Sequence, residues 1–179
     1  MSEVIWRRDD GGVEHVVVAA AADGGVDVDG VAVWAAEDGG LHRVRYRLGC
    51  DASWCARSVD VEAPEDGTSV SLRADGRGAW SGRPDLDGCV DVDLWAIAFT
   101  NTLPVRRLGL RTGEAALIDV AYVRLPSMAV ERMQQRYTRV SDDVYRYESV
   151  RSGFTADLLV DAAGLVVEYP GLVRRMWAR

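Results

Sequence analysis

No apolar run in this chain goes far before glycine or aspartate cuts it, and that punctuation limits what the chain can fold into. The interruptions recur at about 8–12 residues, the rhythm of a sandwich, a barrel or a rolled sheet. Residues 14–21 form one run, closed by Asp23-Gly24-Gly25. Val26, Val28, Ala32 and Trp34 read as a hairpin around Asp29-Gly30, a two-residue turn signal. Asp38-Gly39-Gly40 breaks the chain again, and Arg43-Val44-Arg45-Tyr46-Arg47-Leu48 then alternates with the period of a half-buried strand. Further strands are expected over 54–61, 69–73, 89–95, 116–125, 145–149, 155–160 and 165–169. Turns at Glu65-Asp66-Gly67, Asp75-Gly76, Thr112-Gly113, Ser152-Gly153 and Ala163-Gly164 separate them. Residues 128–137 are ambiguous, since Val130, Met133 and Tyr137 share helical spacing. Pro126 and the Tyr137-Thr138-Arg139-Val140 run favour an extended reading, with a helix as the alternative. The expected fold is all-β: one strongly curved antiparallel sheet with little or no helix. It forms a single domain over residues 1–179, with residues 1–10 a loose or edge segment.

Composition narrows function by exclusion. All 21 basic side chains are arginine, so Schiff-base chemistry, pyridoxal phosphate attachment and a P-loop, which need a lysine amine, are ruled out. A net charge of −7 argues against nucleic acid as a partner, because phosphate binding needs clustered positive charge. Cys50, Cys55 and Cys89 are odd in number, which suits reduced thiols in a cytoplasmic protein better than a disulfide framework. His15 and His42 lack the paired spacing of a metal site, and no catalytic residue, metal or cofactor is expected. The first ten residues hold Arg7, Arg8, Asp9 and Asp10 and no apolar signal core, and the longest apolar run is too short to span a bilayer.

The densest chemistry lies between Asp75 and Arg107. Gly76-Arg77-Gly78-Ala79-Trp80 puts two glycines around an arginine and delivers a tryptophan to the core or to the floor of a trough. Its ordinary reading is a tight turn before a strand. In Cys89-Val90-Asp91-Val92-Asp93-Leu94-Trp95 the alternation puts Asp91, Asp93 and Trp95 on one face. Two carboxylates beside an aromatic can grip hydroxyls while an apolar ring packs alongside; the alternatives are a solvated outer face with one stray Trp, or an Asp paired with a nearby Arg. Asn101 and Pro104 shape the following loop. Pro104 is expected to hold Leu103 extended, and Arg106 and Arg107 to point to opposite faces if a strand resumes. An arginine should keep the carboxylates charged, with Arg106 nearest in sequence and Arg136 a second candidate. Gln135, Arg136 and Tyr137 form another polar–aromatic cluster, and Tyr145 and Tyr147 share a strand face.

These segments, in this order, resemble the putative glycolipid-binding family of bacterial proteins. The resemblance runs through Gly76 to Trp80, Cys89 to Leu94, Phe99-Thr100-Asn101-Thr102-Leu103-Pro104-Val105-Arg106-Arg107-Leu108 and Gln135 to Thr138. It continues through Tyr145 to Ser149, Gly153-Phe154, Asp161, Gly164-Leu165-Val166 and Tyr169-Pro170-Gly171-Leu172. One departure is Ala96-Ile97-Ala98, where the family pattern implies a proline before Phe99. The resemblance implies a spiral β-roll and an amphipathic or glycolipid ligand on its concave face. The candidate ligand-binding residues are Arg77, Trp80, Asp91, Asp93, Trp95, Asn101, Arg106, Gln135, Arg136, Tyr137 and Tyr147. Two alternatives stand beside non-catalytic binding: an enzyme acting on a sugar or lipid with Asp91 and Asp93 as acid and base, and a protein-interaction module using a sheet edge.

Overall fold

The alternation resolves into thirteen strands of a single sheet in the computed structural model, which describes residues 1–36, 39–65 and 67–179. They are β1 (Ser2–Arg8), β2 (Val13–Ala20), β3 (Val26–Ala35), β4 (Leu41–Cys50), β5 (Ala56–Ala63), β6 (Thr68–Arg73) and β7 (Asp91–Leu94). After the helix α1 (Thr102–Leu108) come β8 (Ala115–Arg124), β9 (Ala129–Arg139), β10 (Val144–Ser149), β11 (Thr155–Val160), β12 (Val166–Tyr169) and β13 (Val173–Ala178). Asp38 and Asp66, which belong to two of the expected turns, lie outside the described residues.

The sheet order is β6-β5-β4-β3-β2-β1-β13-β12-β11-β10-β9-β8-β7. Two meanders, β1–β6 and β8–β13, are joined by the pairing of β1 with β13. Residues 2–8 are therefore not an edge segment. β1 lies mid-sheet, and the fully buried Trp6 donates its indole N–H to the Val166 carbonyl at 2.7 Å. The sheet curls until its end regions nearly meet. Ala56 N–H donates to Val90 O at 3.0 Å, and Ala74 and Trp80 form an isolated bridge, but among the described residues no ladder closes the seam.

Three local expectations are corrected. β3 runs straight through Asp29-Gly30, which pairs on both sides as strand. Gly30 is there for close approach: a Cβ would lie 2.1 Å from Cζ of Tyr46. Second, β7 pairs parallel with β8, and this needs a crossover, supplied by residues 95–114. Third, that crossover is helical through Leu103, which Pro104 was expected to hold extended, and no strand resumes at Arg106 and Arg107. Proline is tolerated in the first turn of a helix, where no intrahelical bond needs its N–H, and Gly109 ends α1 in the left-handed region at φ 53°. Residues 129–139 are extended, as β9.

The roll's interior is filled by its own side chains. One continuous apolar cluster includes residues from both meanders together with Ile97, Phe99 and Leu103 of the crossover. No helix among the described residues is long and apolar enough to cross a membrane.

Candidate functional site

Strand register gathers the site. β9 pairs with β8 and β10 so that Tyr122 faces Glu131, Val120 faces Met133, Gln135 faces Ser149 and Tyr137 faces Tyr147. Side chains alternate across a sheet, so Glu131, Met133, Gln135 and Tyr137 share the inner face with Tyr122, Arg124, Tyr147 and Ser149. Arg132 and Arg136 take the outer face, where Arg132 pairs with Asp119 at 2.6 Å and Arg136 reaches Glu148 at 3.9 Å.

The crossover lies against this face and is held by a buried carboxylate. Glu14, fully buried on β2, accepts hydrogen bonds from Ala98 N–H at 2.7 Å, Phe99 N–H at 3.2 Å and Tyr46 O–H at 2.8 Å. Burial pushes its carboxyl up, and these donors pull it back. Ala96, just upstream, has a φ of 60°, a left-handed conformation that an alanine adopts at some cost.

Asp93 sits where β7 meets the crossover. Gln135 Nε2 donates to its Oδ2 at 2.6 Å, and the Thr100 hydroxyl lies 2.9 Å from its Oδ1 and 3.0 Å from the Ile97 carbonyl. A hydroxyl has one proton and cannot donate to both. A protonated Asp93 resolves the conflict, donating to Thr100, which then donates to Ile97. Burial pushes the Asp93 carboxyl up to about 6, against the pull of Gln135 and Thr100. On the same strand face, Asp91 is fully buried in a bidentate pair with Arg107, at 2.9 Å from Nε and 2.6 Å from Nη2.

Above Asp93 the roll opens into a cleft of about 390 Å³, within the usual span of small-molecule sites, about 300–1,000 Å³. One wall is a triangle of rings: Tyr147, Phe154 and Tyr169, with centroids 6.2–6.4 Å apart. Tyr147 also packs edge-on to Tyr137 at 5.5 Å, and Tyr137 O–H donates to Asn101 Oδ1 at 2.9 Å. Trp95, 40% exposed and edge-on to Trp34, also lines the cleft. Ile97, Met133 and Leu172 add apolar surface, Ser149, Ser152 and Asn101 add polar groups, and Arg124 and Arg151 stand among the lining residues.

Of the sequence candidates, Asp93, Trp95, Asn101 and Tyr147 line the cleft, and Gln135 and Tyr137 lie one hydrogen bond behind it. The others lie elsewhere. Arg77 is exposed on a turn whose backbone amides donate to Asp75. Trp80 is buried, its indole N–H donating to Cys89 O at 2.8 Å. Arg106 stacks over Trp54 at 4.8 Å and donates to Ala163 O. The arginine that partners Asp91 is Arg107, not Arg106 or Arg136; in a helix successive side chains are rotated by about 100°, so Arg106 and Arg107 diverge without taking opposite faces of a strand. Asp91, enclosed with Arg107, does not line the cleft, so the two aspartates do not face a common substrate. Sequence reasoning missed Tyr122, Arg124, Arg151, Phe154 and Tyr169. The alternation of β9 already pointed to the inner face, and Phe154 and Tyr169 lay within the segments that carried the resemblance.

Among the described residues no group of three or more His, Cys, Asp or Glu side chains is placed to hold a metal ion. The three cysteines are free thiols; burial pushes Cys50 up to about 12 and Cys89 up to about 11, so neither is poised as a nucleophile.

Comparison with known proteins gives two matches. A sequence model of the family described as putative glycolipid-binding matches residues 3–175. The crystal structure of a DUF1089 family protein from Pseudomonas aeruginosa is 39% identical and superposes with a TM-score of 0.80, covering 91% of this chain and 92% of that one. No curated protein matches significantly.

Proposed function

The chain belongs to the putative glycolipid-binding family, and from that premise we propose that its cleft binds an amphipathic small molecule, such as a glycolipid, without transforming it. The observation that carries this reading is the pairing of a ring-lined wall with a hydrogen-bonding floor in one opening. Tyr147, Phe154 and Tyr169 offer faces to an acyl chain or the apolar face of a sugar. Asp93, Asn101 and Ser149 offer acceptors and donors to hydroxyls. Binding rather than turnover is favoured because Asp91 is sequestered by Arg107, leaving Asp93 without a second carboxylate across a substrate. The cytoplasm is the proposed setting, in keeping with three unpaired thiols.

Phe154 provides the test, since it is 49% exposed and contributes little to the core. Titrated with an alkyl glucoside below its micellar concentration and followed by tryptophan fluorescence, the wild type should bind saturably. Phe154→Ala should weaken binding about tenfold, as loss of one well-packed aromatic contact does, at unchanged melting temperature. Absence of saturable binding of the alkyl glucoside to the wild type would contradict the reading.

A further inference from the structure

The cleft departs in charge from the molecule around it. The chain carries −7 overall, yet the charged residues lining the cleft are two arginines, Arg124 and Arg151, against one carboxylate, Asp93. The two guanidiniums share a single counter-ion. Arg124 donates from Nε and Nη2 to Oε1 of Glu131 at 2.9 and 2.6 Å, and Arg151 donates from Nη1 to Oε2 of the same residue at 2.7 Å. Among the described residues, Nη1 of Arg124 and Nε and Nη2 of Arg151 make no hydrogen bond. Glu131 is itself fixed by the β8–β9 ladder opposite Tyr122, and the Arg124 guanidinium lies 5.6 Å over the Tyr122 ring. Arg124 is therefore presented from the end of β8 and Arg151 from the turn after β10, both tied to Glu131 on β9, with donors left over and one net positive charge on the three side chains.

Resting on the amphiphile-binding reading above, we propose that the ligand is acidic: an oxyanion head, phosphate or carboxylate, received by Arg124 and Arg151 at the lip, with its apolar body against Tyr147, Phe154 and Tyr169. Planar guanidiniums with unused N–H groups match the oxygens of such a head, and charge-assisted hydrogen bonds are about twice as strong as neutral ones. Glu131 orients both arginines and neutralises only one of them. The arginines are the specificity determinants, and the rings serve any amphiphile.

The test compares three probes by calorimetry: decyl phosphate, decyl glucoside and inorganic phosphate, with the detergents below their micellar concentrations. The wild type should bind decyl phosphate at least about tenfold more tightly than decyl glucoside, the discrimination that one charge-assisted hydrogen bond supplies. Arg124→Gln/Arg151→Gln should abolish that preference, bringing decyl phosphate down to the affinity of decyl glucoside. Both arginines are more than half exposed, so the double variant should fold. Glu131→Gln should tighten decyl phosphate binding by freeing both guanidiniums, an effect that a purely structural triad would not produce. Equal affinity for the two detergents in wild type, or an unchanged preference in the double variant, would overturn the acidic-ligand proposal and leave amphiphile binding intact. Inorganic phosphate binding as tightly as decyl phosphate would also overturn it, since the tail would then contribute nothing. Failure of decyl glucoside to bind the wild type would overturn the cleft reading and this proposal with it.

Discussion

Asp93 concentrates the site's chemistry in one side chain. Its folded-state carboxyl lies at about 6 against an ordinary 3.8, so the native state binds the proton more tightly than the unfolded chain does. Native stability is then undiminished by this group at low pH and falls as pH rises from about 4 to about 6, by up to about 3 kcal/mol. Asparagine reproduces the protonated form: its oxygen accepts from Gln135, and its amide donates to Thr100, which donates to Ile97. Asp93→Asn should therefore be more stable than wild type at pH 7.5 by up to about 3 kcal/mol, and the two should converge below about pH 4. Urea denaturation across that range checks it; a variant less stable at pH 7.5 would mean that the carboxylate is the form the fold prefers. The sequence marked Asp93, Trp95, Asn101 and Tyr147 because period-two alternation and loop chemistry are local. It did not mark Arg107, because whether residues 102–108 are helix or strand depends on the buried cavity they must fill.

At the level of elements, the crossover that floors the cleft depends on a residue 84 positions earlier in the chain, Glu14. Its carboxylate satisfies two amides at the start of the 99–101 turn and the Tyr46 hydroxyl, all buried. Glu14→Ala strands three donors and should cost at least about 3 kcal/mol, and Tyr46→Phe, which removes one donor and leaves the other two satisfied, about 1–2 kcal/mol. Denaturant midpoints measure both; equal losses would mean that the tyrosine, not the amides, carries the interaction. Strand periodicity was legible for most elements, β4 most plainly. β1 and β13 were hidden because each is stabilised by pairing with the other across nearly the whole length of the chain. Asp29-Gly30 misled for a related reason: the glycine answers to the Tyr46 ring on the next strand, not to its own backbone.

On the scale of the whole molecule, the roll is open along a seam between β5–β6 and β7, and Trp80 sits on it. Its backbone bridges Ala74 after β6 while its indole holds Cys89 ahead of β7. Trp80→Ala should cost about 3–5 kcal/mol, as large aromatic truncations in cores do; an unchanged denaturant midpoint would remove Trp80 from the closure. Curvature was foreseeable from turn spacing and from the family resemblance. The filling of the interior by residues of the chain's own crossover was not; Ile97 and Asn101 of that crossover line the cleft beside the rings and the two arginines. The central claim is that this opening holds an amphiphile. Native mass spectrometry of the protein purified from its own host, beside Phe154→Asp prepared identically, tests it most directly. The account predicts an acidic amphiphile retained one-to-one by the wild type and absent from the variant. A wild type that retains nothing, or a variant that retains the same molecule equally well, would contradict it.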